Sequence, residues 1–84
     1  MKKIELYTKS HCPYCRRAKD LLHIKKAIFV EYDVTNDPAK EQEMRERSGR
    51  MTVPEIFIDE SLVGGCDDLY ALEQQGILDG MLRD

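Results

Sequence analysis

Two cysteines separated by two residues can close a disulfide and reopen it, and Cys12-Pro13-Tyr14-Cys15 offers such a pair. Its surroundings decide what the pair is for. Lys3-Ile4-Glu5-Leu6-Tyr7 before it reads as a short strand, and Arg16-Arg17-Ala18-Lys19-Asp20-Leu21-Leu22 after it reads as a helix. Pro13 suits the first helical position, where a backbone N–H has no partner anyway and the fixed φ is already helical. Cys12 then falls at the N-cap, its sulfur facing the unpaired N–H groups at the positive end of the helix dipole. The thiolate is the nucleophile, and an ordinary thiol of pKa ~8.5 is only about 3% ionised at pH 7. Helix N-termini with cations nearby bring thiols down to roughly 3.5–7.5. Lys9, Arg16 and Arg17 lie close enough in sequence to add positive potential. Cys15 sits about one turn deeper on the same helix face, where burial keeps a thiol at or above its ordinary value.

The elements that must hold this pair can be read along the chain. The strand at 3–7 shows little one-sided alternation, which suits a central strand covered on both faces. The helix from Pro13 to about Lys25 carries Cys15, Ala18, Leu21 and Leu22 at helical spacing. Phe29 to Val34 is a second strand, rich in β-branched and aromatic residues, and its order after a helix implies a right-handed crossover and parallel pairing. Asp37-Pro38 opens a second helix with Asp37 as N-cap, and Gly49 is a plausible stop. That helix is nearly all polar and is expected to be a solvated face with thin apolar contact through Met44. Glu55-Ile56-Phe57-Ile58 and Ser61-Leu62-Val63 flank the Asp59-Glu60 turn as a hairpin, which Gly64-Gly65 breaks. Cys66 or Asp67 caps a third helix, Gly76 ends it, and Ile77 to Leu82 is a short apolar tail, helical and docked. The order is βαβ-α-ββα. It predicts an α/β fold with one four-stranded mixed sheet and helices on both faces, as a single domain over residues 1–84. The first strand lies centrally, and the Cys12 loop emerges at its C-terminal end, the edge that ligands of open α/β sheets favour.

Two further stretches converge on that edge. Thr52-Val53-Pro54 precedes the third strand, and a proline there costs no ladder bond. It also permits a cis peptide, which would expose the Val53 N–H and C=O to an extended peptide ligand. Gly64-Gly65-Cys66-Asp67-Asp68 is a loop opening a helix. Its glycines allow close backbone approach, its helix N-terminus can hold a carboxylate, and Asp67 and Asp68 can hold an ammonium group.

Together, Cys12-Pro13-Tyr14-Cys15, Thr52-Val53-Pro54 and Gly64-Gly65-Cys66-Asp67-Asp68 resemble the dithiol glutaredoxins, most like the bacterial glutaredoxin 3 type. The resemblance runs through all three loops and essentially the whole chain. It implies the thioredoxin fold and glutathione as co-substrate. Carried over, it makes Cys12 the nucleophile and Cys15 the resolving thiol. Tyr14 would flank the glutathione cysteine, Thr52 and Val53 would bind its backbone, and Pro54 would be the cis proline. Gly65 and Cys66 would complete the site, Asp67 with Asp68 would hold the γ-glutamyl end, and Lys9 would meet the glycine carboxylate. The resemblance also calls for a polar or basic side chain from the second-helix region, for which Lys40, Arg47 and Arg50 all qualify.

Composition excludes several rivals. The chain has 84 residues and a net charge of −3, where a nucleic-acid binder would be basic. No apolar run approaches a membrane span, and Glu5 follows Met1-Lys2-Lys3 too soon for the apolar region of a secretory signal. Three cysteines poorly suit a disulfide framework and favour the cytoplasm, and no metal is expected. Tetrahedral zinc needs four ligands, and only Cys66, His11 and His23 remain beside the pair. Bland readings stand beside the others. Cys66 can be a small buried residue, Tyr14 a surface aromatic, Asp67 and Asp68 simple caps, and Lys9 a solvated loop lysine. The expectation is a monomeric enzyme reducing protein disulfides and glutathione mixed disulfides. A thioredoxin-like donor recharged by a flavoprotein reductase is the first alternative. A glutathione-ligated iron–sulfur carrier is the second, against which Cys15 and Pro13 both argue.

Overall fold

The computed structural model describes residues 2–83. Its elements are β1 (Ile4–Thr8), α1 (Pro13–Ile24), β2 (Val30–Asp33), α2 (Pro38–Ser48), β3 (Glu55–Ile58), β4 (Ser61–Gly64), α3 (Cys66–Gln74) and α4 (Leu78–Leu82). They form one mixed sheet in the order β2-β1-β3-β4, so the first strand is central as anticipated. β1 runs parallel to β2, pairing Tyr7 with Tyr32, and antiparallel to β3, pairing Tyr7 with Glu55. β4 closes a hairpin on β3, with an irregularity between Ile56 and Phe57.

All five residues of β1 are buried, and they divide between two cores because successive strand side chains point to opposite faces. Ile4 and Leu6 join Ala18, Leu21 and Leu22 of α1, Ile56 and Ile58 of β3, Leu69 of α3 and Leu78 of α4. Burying each such side chain is worth about 1.5–3 kcal/mol, so this face carries most of the stability. Tyr7 joins Val34, Met44 and Phe57 in a smaller cluster under α2. Helices therefore cover both faces of the sheet. Among the described residues, no helix is long and apolar enough to cross a membrane.

The helix starts follow their capping residues. Asp37 accepts from the Lys40 N–H at 3.1 Å with Pro38 behind it, and Gly49, at φ 71°, ends α2 in the left-handed conformation that glycine adopts at least cost. Three sequence expectations need correction. Gly64 belongs to β4, because it still pairs with Ile56. α3 is capped by Gly65 and not by Cys66 or Asp67, because the Asp68 carboxylate reaches back to the Gly65 N–H at 2.9 Å. Finally, α2 is not merely a solvated face. Its Arg47 reaches Glu5 of β1 at 3.0 and 3.1 Å and Tyr7 Oη at 2.9 Å, while Glu43 accepts from the Tyr7 hydroxyl. α2 thus packs on the sheet largely through polar contacts, with Met44 as its one fully buried apolar side chain.

Candidate active site

β1 delivers the chain to a loop at its C-terminal end, and the loop delivers Cys12 to the N-cap of α1 with Pro13 in the first helical position. The Cys12 sulfur accepts from the Cys15 N–H at 3.2 Å, which is the capping contact that stabilises negative charge on sulfur. Cys12 is half-buried, while Cys15 and Cys66 are buried, and all three are free thiols. Cys15 points into the core with Ala18, Leu21 and Leu22. Burial pushes its thiol up to about 12, helped by its hydrogen bond with the Cys12 sulfur. It is therefore a protonated thiol at neutral pH, one turn behind the accessible one.

Two loops face the Cys12 sulfur. The Val53–Pro54 peptide is cis, as anticipated, and the Val53 carbonyl lies 4.0 Å from Cys12 Sγ. Opposite it, the turn from β4 into α3 comes so close that a Cβ on Gly65 would sit 3.4 Å from the Pro54 carbonyl oxygen. Gly64, at φ 123°, leaves room for Asp68: a Cβ there would fall 2.2 Å from Asp68 Oδ2. These are the close approaches that the Gly64-Gly65 pair makes possible. Tyr14 is 55% exposed and stands at the rim, with the Arg17 guanidinium 5.9 Å from its ring centroid.

A cavity of about 310 Å³ opens between these loops, lined by Tyr14, Thr52, Val53, Pro54, Gly65, Cys66, Asp67 and Asp68. Every residue that the sequence assigned to ligand binding is here except Lys9. Lys9 instead lines a neighbouring groove of about 780 Å³ that also contains Cys12 and Cys15, and its ammonium pairs with Glu41 at 2.8 Å. A cavity of about 390 Å³ at the opposite end of α1, lined by Lys25, Lys26, Ala27, Asp79, Leu82 and Arg83, contains no cysteine. Cys66 lines the candidate site with only 4% of its surface exposed, and burial raises its thiol above the ordinary range. Among the described residues, no three His, Cys, Asp or Glu side chains converge as a metal site would require.

The three basic candidates separate by geometry. Lys40 pairs with Glu43 at 3.1 Å and lies over the Tyr32 ring. Arg47 is consumed by Glu5, Tyr7 and Glu60. Arg50 alone of the three reaches the cavity wall, 3.6 Å from Asp68 and 3.9 Å from Glu55. Sequence reasoning missed Glu55 altogether. Its signal was a carboxylate at the first position of a strand that otherwise reads as buried.

Comparison with known proteins agrees with this geometry. The family profile described as Glutaredoxin matches residues 4–63, more than half of the chain. The chain belongs to the glutaredoxin family. It is 54% identical over 83 residues to glutaredoxin 3 of Escherichia coli, covering 99% of this chain and 100% of that one. The solution structure of glutaredoxin from Brucella melitensis superposes with a TM-score of 0.85 at 55% identity, covering 98% of this chain and 89% of that one. The crystal structure of a buckwheat glutaredoxin–glutathione complex gives a TM-score of 0.87 at 27% identity, covering 96% and 76%. The fold is accordingly the thioredoxin fold, and the glutaredoxin chain is a thiol–disulfide oxidoreductase, as the Cys12-x-x-Cys15 pair anticipated.

Proposed function

We propose that the chain is a glutathione-dependent oxidoreductase that reduces protein disulfides and glutathione mixed disulfides through Cys12 and Cys15. The observation that carries this reading is the placement of Cys12 at a helix N-cap beside a cavity that joins a cis-proline backbone to a pair of carboxylates. The Cys12 thiolate attacks the glutathione sulfur of a mixed disulfide. A Cys12–glutathione disulfide forms and the partner leaves as thiolate. A second glutathione thiolate attacks that sulfur, forming glutathione disulfide and returning the Cys12 thiolate. With an intramolecular protein disulfide, Cys12 attacks one sulfur and stays joined to the protein. Cys15 then attacks Cys12, its proton passing to the leaving thiolate, so that the reduced protein departs and a Cys12–Cys15 disulfide forms. Two glutathiones return that disulfide to the dithiol as they become glutathione disulfide.

Each wall of the cavity has a task in this reading. The Val53 backbone pairs with the extended tripeptide while Thr52 and Pro54 flank it. Tyr14 covers its cysteine, Gly65 and Cys66 let the backbone come close, and Asp67 with Asp68 receive the ammonium of its γ-glutamyl end. Lys9 meets the glycine carboxylate by giving up its pairing with Glu41. The enzyme acts as a monomer in the cytoplasm, where thiols are kept reduced. The test is chemical-shift mapping on a Cys15→Ser protein loaded with glutathione at Cys12. Backbone shifts should concentrate at Tyr14, Thr52, Val53 and residues 65–68. Shifts centred on the cavity at Lys25–Ala27, or spread evenly over the sheet, would contradict the assignment.

A further inference from the structure

Glu55 is a buried carboxyl for which the reaction as described has no use. It opens β3 directly after the cis Val53–Pro54 bond and exposes none of its surface. One oxygen, Oε2, accepts from the Thr52 hydroxyl at 2.8 Å. The other, Oε1, is buried with no hydrogen-bond partner among the described residues. Such an oxygen is costly unless it serves something, because desolvation is unrewarded. Its nearest cation is Arg50, with Nη1 at 3.9 Å. The same nitrogen lies 3.6 Å from Asp68 Oδ2. Arg50 is held at its backbone by Ser48, whose hydroxyl accepts from the Arg50 N–H at 3.0 Å while donating to the Met44 carbonyl at 2.7 Å. The guanidinium thus stands between a buried carboxylate behind the cavity wall and an exposed one on it.

We propose that Glu55 is a positioning residue that sets the charge of the ligand site: its buried carboxylate holds Arg50, so that Asp68 keeps its negative charge for the ligand's ammonium group. The inference rests on the reading that Asp67 and Asp68 receive that ammonium. A cation shared between two carboxylates neutralises neither fully. With Glu55 made neutral, Asp68 is the only carboxylate among the described residues left within 4 Å of Arg50, and the guanidinium then competes with the ligand for Asp68. Burial raises the Glu55 carboxyl above its ordinary value, while the Thr52 hydroxyl and the Arg50 charge draw it back.

The experiment compares two substrates, a glutathionylated peptide and the same peptide whose γ-glutamyl nitrogen has been acetylated. The ratio of their kcat/KM values is the ammonium preference. Glu55→Gln keeps the shape and an acceptor for Thr52 but removes the charge. It should lower the preference about 3- to 5-fold, the range that a half-exposed ion pair supports, by raising KM for the amine substrate alone. Arg50→Gln should raise the preference, and in that background Glu55→Gln should change it by less than about 1.5-fold, since removing the shared cation removes the coupling. Equal losses on both substrates would show a merely structural role for Glu55 and overturn the proposal. So would a lowered preference in Arg50→Gln, which is half-exposed and not at risk of unfolding. Asp68→Asn separates the two levels. If it abolishes the preference while Glu55→Gln leaves it intact, the proposal alone fails. If it leaves the preference intact, the ammonium assignment fails and this inference falls with it.

Discussion

A Cys15→Ser protein should keep most of its activity toward glutathione mixed disulfides and lose most of its activity toward intramolecular protein disulfides. The two reactions differ in who resolves the intermediate. In the first, Cys12 carries glutathione, and a second glutathione from solution attacks it; Cys15 is not needed. In the second, Cys12 is joined to a large partner that restricts entry from solution. Cys15 lies in the same helical turn, with its N–H on the Cys12 sulfur at 3.2 Å. Its attack is intramolecular, and well-oriented intramolecular reactions reach effective molarities of roughly 10⁵ M or more, so losing it should slow protein reduction about 10²-fold or more. The Cys15 thiol, pushed up to about 12 by burial, is a poor nucleophile in the resting enzyme and does not compete for substrate. Cys12→Ser should abolish both activities, because the remaining cysteines are buried. Both activities measured on one Cys15→Ser preparation decide the matter. Equal losses, or loss of the first alone, would refute Cys15 as the resolving thiol.

Arg47→Met should be the most damaging single substitution outside the site. The guanidinium forks onto both oxygens of Glu5 at 3.0 and 3.1 Å, bonds Tyr7 Oη at 2.9 Å and lies 4.0 Å from the Phe57 ring centroid. The Glu5 side chain is only 5% exposed. Breaking a buried pair by removing one partner costs about 3–5 kcal/mol, because the remaining charge loses its partner and cannot recover its water. That is a large part of the total of about 5–15 kcal/mol that holds a domain folded. The pH dependence gives a second readout. In the native protein Arg47 holds the Glu5 carboxyl below its ordinary value of 4.5. Its stabilisation is therefore present above that value and is lost as pH falls through the lowered one. Without Arg47, only the Tyr32 hydroxyl at 3.0 Å and Lys3 at 3.8 Å still favour the Glu5 carboxylate against its burial, so this stabilisation is weakened. The deficit of Arg47→Met should be full near pH 7 and shrink as pH falls below 4.5, measured by urea unfolding. A deficit under about 1 kcal/mol, or one independent of pH, would show that the pair is incidental. Glu5→Gln with Arg47→Met should cost less than Arg47→Met alone, since no charge is then stranded.

What could be read from the sequence was whatever is written locally. Cys12-Pro13 is a helix start, Val53-Pro54 precedes a strand that reads as buried, and two glycines before Asp67-Asp68 mark a close approach; each is a short-range steric or capping fact. The parallel β1–β2 pair, the β3–β4 hairpin and the central place of β1 followed from the same local signals plus connection rules, while the choice of β3 over β4 as the second neighbour of β1 did not. Pairings between distant polar side chains could not be read. Glu5 and Arg47 are 42 positions apart, and nothing in Lys3-Ile4-Glu5-Leu6-Tyr7 tells a buried glutamate from an exposed one. The polar pattern of α2 reports charge but not which charge turns inward, so a helix that looked solvated proved to anchor one face of the sheet. Glu55 escaped notice although its partners Thr52 and Arg50 are near in sequence, because the sequence does not show which side chains a loop turns toward one another. Lys9 shows the converse. The resemblance put it among the ligand residues; it stands in the groove that holds Cys12, with its ammonium on Glu41 at 2.8 Å, a pairing that its place in the sequence does not reveal.

The account depends most on glutathione being the electron donor. The direct measurement starts from protein oxidised to the Cys12–Cys15 disulfide and offers it reductants one at a time. Glutathione alone, with no flavoprotein reductase, should restore the dithiol and support steady turnover on a mixed-disulfide substrate. Recovery only with a thioredoxin-type reductase and its nicotinamide donor, and none with glutathione, would contradict it.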